Sequence, residues 1–271
     1  LMNEQETIQA ASRPGTRENL CEDLISLGVR PGMTLLVHSA MSKLGWVCGG
    51  PVAVIQALMD ALTPEGTLVM PAHSGDLSDP AIWQHPPVPP EWVEPIRASM
   101  PAFDPRYTPT RSMGRIAELF RTYPGVLRSN HPSDSFAAWG KHADFVTAGH
   151  SLEYGFGERS PLARIYDLDG WVLLLGVGHG NNTSMHLAEH RAGLAAPERR
   201  GAPVFEDGQR VWKWYQDLEI DSDIFPQIGV DYEKAHPVRV GKIALAEGRL
   251  FAQRSAVDFT VDWLKARAAA G

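Results

Sequence analysis

Residues 28–73 read GVRPGMTLLVHSAMSKLGWVCGGPVAVIQALMDALTPEGTLVMPAH. A turn through Pro31-Gly32 leads into Thr34 to Val37, an uncharged β-rich run that predicts a strand ending at His38 and Ser39. Pro51 suits the first turn of a helix, and apolar residues carry that helix to about Leu62. TPEG at 63–66 breaks it, and TLVMPAH at 67–73 reads as a second buried strand. Strand, helix, strand in this order is the pattern of a parallel βαβ unit.

Working outward, Glu18 to Leu27 is apolar at helical spacing and stops at Gly28. Trp171 to Val177 is a third almost wholly apolar run, as strands covered on both faces are. It passes into the glycine-rich GVGHGNN and then a helix starting near Thr183. From about Gly201 a hairpin is expected around Asp207-Gly208, and the closing stretch VRVGKIALAEGRLFAQRSAVDFTVDWL is strand-like, then helical. The expected fold is α/β: a mostly parallel central sheet flanked by helices, with an additional C-terminal strand-rich and helical portion. All of 1–271 is read as one domain, with residues 1–16 as a flexible N-terminus. In open parallel sheets ligands bind beyond the carboxyl ends of the strands. Three predicted strands end in a histidine, His38, His73 and His179, which predicts a common polar rim there.

Residues 84–109 form a proline-rich loop expected near the site; eight of the chain's 21 prolines lie between His85 and Pro109. Such a segment excludes regular helix and central strand. Its tryptophans, Phe103 and Tyr107 favour a docked loop over a solvated connector.

Composition narrows the function classes. The 271 residues are 44% hydrophobic and 21% charged, a globular balance. A formal charge of −7 without any basic run argues against nucleic acid and suits a cationic ligand. No run approaches the roughly eighteen apolar residues of a membrane span, and the polar start has no signal-peptide core. Leu1 ahead of Met2 reads as an addition to the natural start. The two cysteines, Cys21 and Cys48, form no C-x-x-C pair, so a reducing cytoplasmic location is expected.

Residues 186–190, HLAEH, match the H-x-x-E-H pattern of a zinc peptidase class. On a helix His186 and His190 would share a face. A catalytic zinc site needs a third ligand, however, and none stands at a familiar spacing, so no metal is expected. His190 is read as facing solvent or capping a neighbour. HSAMSKLGWVCGGP at 38–51 places small residues and Gly-Gly before a helix N-terminus, an arrangement that can cradle an anion or serve only as a tight turn. It matches neither the dinucleotide fingerprint nor the P-loop.

LLVHSAMSKLGWVCGGP, GTLVMPAHSGDLSDPAIW, RSNHPSDSFAAWG, RSPLARIYDLDGWVLLLGVGHGNNTSMHLAEH and WYQDLEIDSDIF occur in order between about Glu18 and Leu264. Together they resemble the aminoglycoside 3-N-acetyltransferases. The resemblance implies acetyl transfer from acetyl-CoA to the 3-amino group of a 2-deoxystreptamine antibiotic, and hence resistance. It also implies the family's own α/β fold rather than the GCN5 type; the R-x-x-G stretch RSMGRI lacks that type's second glycine.

Attack on a thioester needs a neutral amine, and so a base. By resemblance His186 occupies the family's catalytic position in N-T-S-M-H-L-A-E, with direct transfer to the amine. Glu189, one helical turn on, can orient the imidazole or be an ordinary exposed acid. Thr183 can donate to the oxyanion or departing thiolate, cap the helix, or both. His38 is expected to contact substrate or the thioester end. Coenzyme A is expected against Ser39, Ser42, Leu44, Gly45, Gly49 and Gly50, with Arg111, Ser112 and Met113 flanking it. Carboxylates for a polycationic sugar are sought at Asp76, Asp79, Asp217 and Glu219. His131 is open between a pre-proline structural histidine and a site residue. Gly180 stands where relatives are expected to carry aspartate, removing a carboxylate from the site. Cys48 is read as small filler. The expected partners are an aminoglycoside and CoA, not nucleic acid or membrane, for a monomer or homodimer. The competing readings are acetylation of another small amine, zinc hydrolysis at HLAEH, and sequestration of cationic drugs without chemistry.

Overall fold

The computed structural model describes residues 4–270. Helices α1 (Glu4–Gln9) and α2 (Arg17–Leu27) precede strand β1 (Thr34–Ser39), helix α3 (Gly50–Leu62) and strand β2 (Thr67–Pro71). Helices α4 (Val93–Ser99) and α5 (Gly114–Phe120) interrupt a long excursion that returns through β3 (Leu127–Arg128) and β4 (Phe136–Gly140). Helices α6 (Ala143–Thr147) and α7 (Pro161–Asp167) lead to β5 (Trp171–Leu175) and α8 (Ser184–Ala192). The remainder is β6 (Pro197–Glu206), β7 (Gln209–Leu218), α9 (Phe225–Ala235), β8 (Arg239–Ile243), β9 (Ala246–Ala252) and α10 (Gln253–Ala270).

The described residues build a seven-stranded sheet in the order β3-β4-β2-β1-β5-β9-β8. β1 pairs in parallel with β2 on one side and β5 on the other, so the expected βαβ unit stands at the centre. The outer strands all pair antiparallel, which makes the sheet mostly antiparallel rather than mostly parallel. The reason is connectivity. Helical crossovers enforce parallel pairing only around β1, whereas the margins come from short reversals, β3 to β4 and β8 to β9. Flanking helices and the C-terminal strand-rich portion are as expected.

Alternation along the central strands sends side chains into two cores. Leu35, Val37, Leu68, Met70 and Leu173 pack with residues of α2, α3 and α5. Leu36 and Val69 pack on the opposite face against α6, α7, α8 and α10. With both faces covered, every residue of β2 and all but the last of β1 is buried. No described helix is long and apolar enough to cross a membrane.

β6 and β7 form the predicted hairpin, whose turn residues Asp207 and Gly208 both have positive φ, the two-residue geometry that Asp-Gly favours. The proline-rich segment departs from expectation, since Val93–Ser99 is helical despite Pro95. Pro95 lies in the first turn, where its missing N–H breaks no helical bond. The segment docks on the hairpin. Phe103 N–H donates to Pro203 O at 3.1 Å, Arg210 Nε to Met100 O at 3.0 Å, and the Arg97 guanidinium covers Trp214. The flexible stretch expected over 1–16 includes residues 1–3, which lie outside the described ones; Gly15 bridges to Val47.

Candidate active site

Chain order reverses at β1: the next strand, β2, lies to one side of it and β5 to the other. The carboxyl ends of these strands therefore splay around an opening, where ligands settle in open α/β sheets. A cleft of about 720 Å³ lies there, lined by His38 and Ser39 of β1, His73 beyond β2, and Thr183 and His186 at the start of α8.

His186 sits in the first turn of α8, held on two faces. Its ring stacks on Phe156 at 4.9 Å between centroids, and Phe225 lies 4.8 Å away at a tilt. Its Nδ1 lies 2.6 Å from Glu189 Oε2, while Glu189 Oε1 accepts the Asp221 N–H at 2.8 Å. Glu189 is buried rather than an exposed acid, and both of its oxygens are engaged. A carboxylate only accepts, so it fixes the proton on Nδ1 and leaves the Nε2 lone pair free. Among the described residues no side chain bonds that Nε2. Thr183 occupies the N-cap position without a capping hydrogen bond; Asn182 Oδ1 instead accepts the Ser184 N–H at 3.3 Å. The Thr183 hydroxyl stays available in the cleft.

His38 and His73 also line the cleft, and the Nε2 of each is buried without a partner. Burial, reinforced by the nearby His186, pushes His38 down to about 3. Burial likewise holds His73 well below the ordinary histidine value, so both rings are neutral. His179 does not join them. It pairs with Glu233 at 2.8 Å and lines an adjoining cavity of about 450 Å³. The single polar rim expected from three strand-end histidines is thus divided between two cavities.

Of the positions sought for coenzyme A, Ser39, Ser42, Ser112 and Met113 line the cleft. Leu44 does not; it is a core residue. Gly45 packs against Leu245, and Gly49 and Gly50 form the turn that opens α3. Arg111 is also off the wall, its backbone N–H bonded to His73 O at 2.8 Å and its guanidinium paired with Asp76. None of residues 84–109 lines the cleft.

The four carboxylates sought for substrate are not on the cleft wall either. Asp76 is taken by Arg111, and Asp79 accepts two bonds from Arg97, at 2.9 and 2.7 Å. Asp217 is buried 3.2 Å from Arg200, and Glu219 is exposed. Asp134 is instead the one carboxylate among the described residues that lines the cleft. It lies inside RSNHPSDSFAAWG, where its position among serines gave no sign of burial.

His131 is wholly buried and structural in its bonding. Its Nδ1 accepts the N–H groups of Ser133 at 3.2 Å and Asp134 at 2.9 Å, and its Nε2 donates to Leu152 O at 3.1 Å. Burial pushes it down to about 4. Of the two settings expected for His190, solvent is not the one found; its side chain is 7% exposed and lies 3.8 Å from Asp217. HLAEH therefore sends its two histidines to different acids. Among the described residues no group of three or more His, Cys, Asp or Glu side chains is arranged to hold a metal ion.

The family model described as aminoglycoside 3-N-acetyltransferase matches residues 36–265. A SPbeta prophage-derived aminoglycoside N(3')-acetyltransferase-like protein, YokD of Bacillus subtilis (strain 168), is 50% identical, with 94% of each chain covered. Its crystal structure superposes with a TM-score of 0.97 at 48% identity, covering 98% of this chain and 99% of that one. Aminoglycoside N(3)-acetyltransferase III of Pseudomonas aeruginosa is 35% identical, over 94% of this chain and 95% of its own. AAC-IIIb, solved as a binary complex with CoASH, superposes with a TM-score of 0.83 at 34% identity, covering 94% of this chain and 98% of that one.

Proposed function

The chain belongs to the aminoglycoside 3-N-acetyltransferase family, and from that premise we propose that it acetylates the 3-amino group of 2-deoxystreptamine aminoglycosides by direct transfer from acetyl-CoA. The observation that carries this reading is the His186–Glu189 pair, which presents an unbonded Nε2 in a cleft of about 720 Å³. The work of the enzyme is cytoplasmic, where acetyl-CoA is made, and its outcome is resistance to the drug.

The residues present suit both substrates. Ser39, Ser42 and Ser112 supply hydroxyls along one wall, and Gly49-Gly50 opens the 13-residue helix α3, whose N-terminal amides favour the phosphates of CoA. Acetyl-CoA supplies an acyl carbon activated as a thioester. His186 Nε2 takes the proton of the attacking amine as the C–N bond forms. The Nδ1–H bond to Glu189 stabilises the imidazolium through that transfer. As the C–S bond breaks, the same proton passes to the departing thiolate, so His186 ends as it began. The Thr183 hydroxyl and neutral His38 donate to the oxygen on which charge develops. Phe156 and Phe225 fix the ring plane, so little reorganisation accompanies the transfer.

The test is purified protein with acetyl-CoA, a panel of aminoglycosides and a thiol-detecting dye, with the product located by NMR. Thiol release with a 2-deoxystreptamine compound and acetyl at its 3-amino nitrogen is expected. Release with other amines only, or with none, would overturn the reading.

A further inference from the structure

We propose that Asp134 is the specificity-determining carboxylate of the cleft, receiving an ammonium group of the amine substrate other than the one acetylated. The proposal rests on the acetyltransfer reading above and names the part of the substrate that the site grips.

The carboxylate of Asp134 is 10% exposed and accepts no hydrogen bond from any described residue, and its Oδ2 is buried without a partner. Buried carboxylates ordinarily have their lone pairs claimed, because leaving them bare is costly. The groups nearest Asp134 do not claim them. His131 Nδ1 is 3.7 Å away, but it is the acceptor of two backbone N–H groups and has no proton to give. The nearest Arg200 nitrogen is 3.9 Å away, and that guanidinium directs its hydrogen bonds to Glu198 and to Leu218 O. Arg200 also serves Asp217 at 3.2 Å. Gly155 packs closely behind the carboxylate, since a side chain there would run into both Asp134 and His131. The carboxylate is therefore held in place by the backbone around it while its oxygens stay unclaimed.

Oδ2 is closed off against Gly155, so a donor entering from the cleft meets the carboxylate at Oδ1, and charge selects the donor. Burial raises the Asp134 carboxyl, with Arg200 and then His186 opposing that rise. A cation docked against it favours the ionised form and gains a charge-assisted hydrogen bond. An ammonium does this; a sugar hydroxyl supplies the bond without the charge. The remaining titratable groups on the cleft wall are the histidines and Arg115, so a polyamine has one anionic anchor there. One amine pinned at Asp134 would leave another at His186, which is how a rigid polyamine is presented in a single orientation.

The experiment is steady-state kinetics on wild type, Asp134→Asn and Asp134→Ser with 2-deoxystreptamine aminoglycosides that differ by single amino groups. In the wild type one such amine, distinct from the acetylated one, is expected to lower KM by about tenfold or more. In both variants its presence should make no difference, while KM for acetyl-CoA stays within about twofold and kcat falls less than KM rises. A variant as sensitive to every amine as the wild type would overturn the proposal, as would a wild type insensitive to all of them. Asp134→Asn removes no hydrogen bond, so loss of folding in it would show the carboxylate structurally engaged and also overturn the proposal. Absence of thiol release by the wild type with any of these compounds is a separate outcome; it overturns the acetyltransfer reading itself.

Discussion

His186 Nδ1 lies 2.6 Å from Glu189 Oε2, and the second oxygen of Glu189 is held by the Asp221 N–H at 2.8 Å. The two residues are one helical turn apart, yet the third member comes from a loop 32 positions further on. Helix α8 alone would let Glu189 swing among rotamers; the tie to Asp221 makes it a fixed support.

Glu189→Gln tests that support. The amide keeps the shape and loses the charge that stabilises an imidazolium. A fall in kcat of roughly 10- to 100-fold with KM for acetyl-CoA unchanged is expected. Unchanged kcat would show that the carboxylate is only a packing element.

Four buried neutral histidines predict sensitivity to acid. Burial pushes His38 to about 3 and His131 to about 4, and holds His73 and His150 well below the ordinary 6.5. The unfolded chain binds protons at these sites below about 6.5 and the native state does not, so stability rises with pH through this window. The contribution is complete above the unfolded value and is lost as pH falls below it, by up to about 1.4 kcal/mol per histidine per pH unit. Urea unfolding at pH 7.5 and 5.5 should give a difference of up to about 5 kcal/mol in favour of the higher pH. Equal stabilities would contradict the neutral rings.

Asp79→Ala should act on stability rather than on substrate. Its two bonds to Arg97 tie the segment after β2 to α4, and both side chains are largely buried. Thermal and urea unfolding should show a loss of about 2 kcal/mol, since Arg97 loses its buried partner and keeps only the exposed Glu94. A large rise in KM for the amine at unchanged stability would return Asp79 to the binding surface.

Gly180 lines the cleft, and a Cβ there would meet Pro226 at an ordinary 3.6 Å. Gly180→Asp should therefore fit and add a second anion to the wall. KM for a polycationic aminoglycoside is expected to fall by about fivefold, and less at high salt. A rise in KM would mean that the substrate presents no charge to this side.

The centre of the fold was legible because β1, β2 and β5 are uncharged apolar runs and Gly50–Leu62 opens on Gly-Gly-Pro. Asp207-Gly208 likewise announced the hairpin. The antiparallel margins were not legible, since an apolar strand carries no mark of its direction. His186 and Glu189 could be found together because three residues along a helix is one turn. The carboxylates could not be sorted in the same way. Asp79 finds Arg97 eighteen positions on, and Asp217 meets Arg200 across two strands. Only the folded chain shows which acids pair closely with arginines and which, like Asp134 at 3.9 Å from Arg200, accept no hydrogen bond.

The most direct test of the account is turnover by His186→Ala beside the wild type, with CoA affinity measured on both. Loss of thiol release by about 10²- to 10⁴-fold, with CoA bound as tightly as before, is predicted for a proton acceptor at this position. Turnover near the wild-type level with the alanine in place would contradict the assignment of His186 as the base.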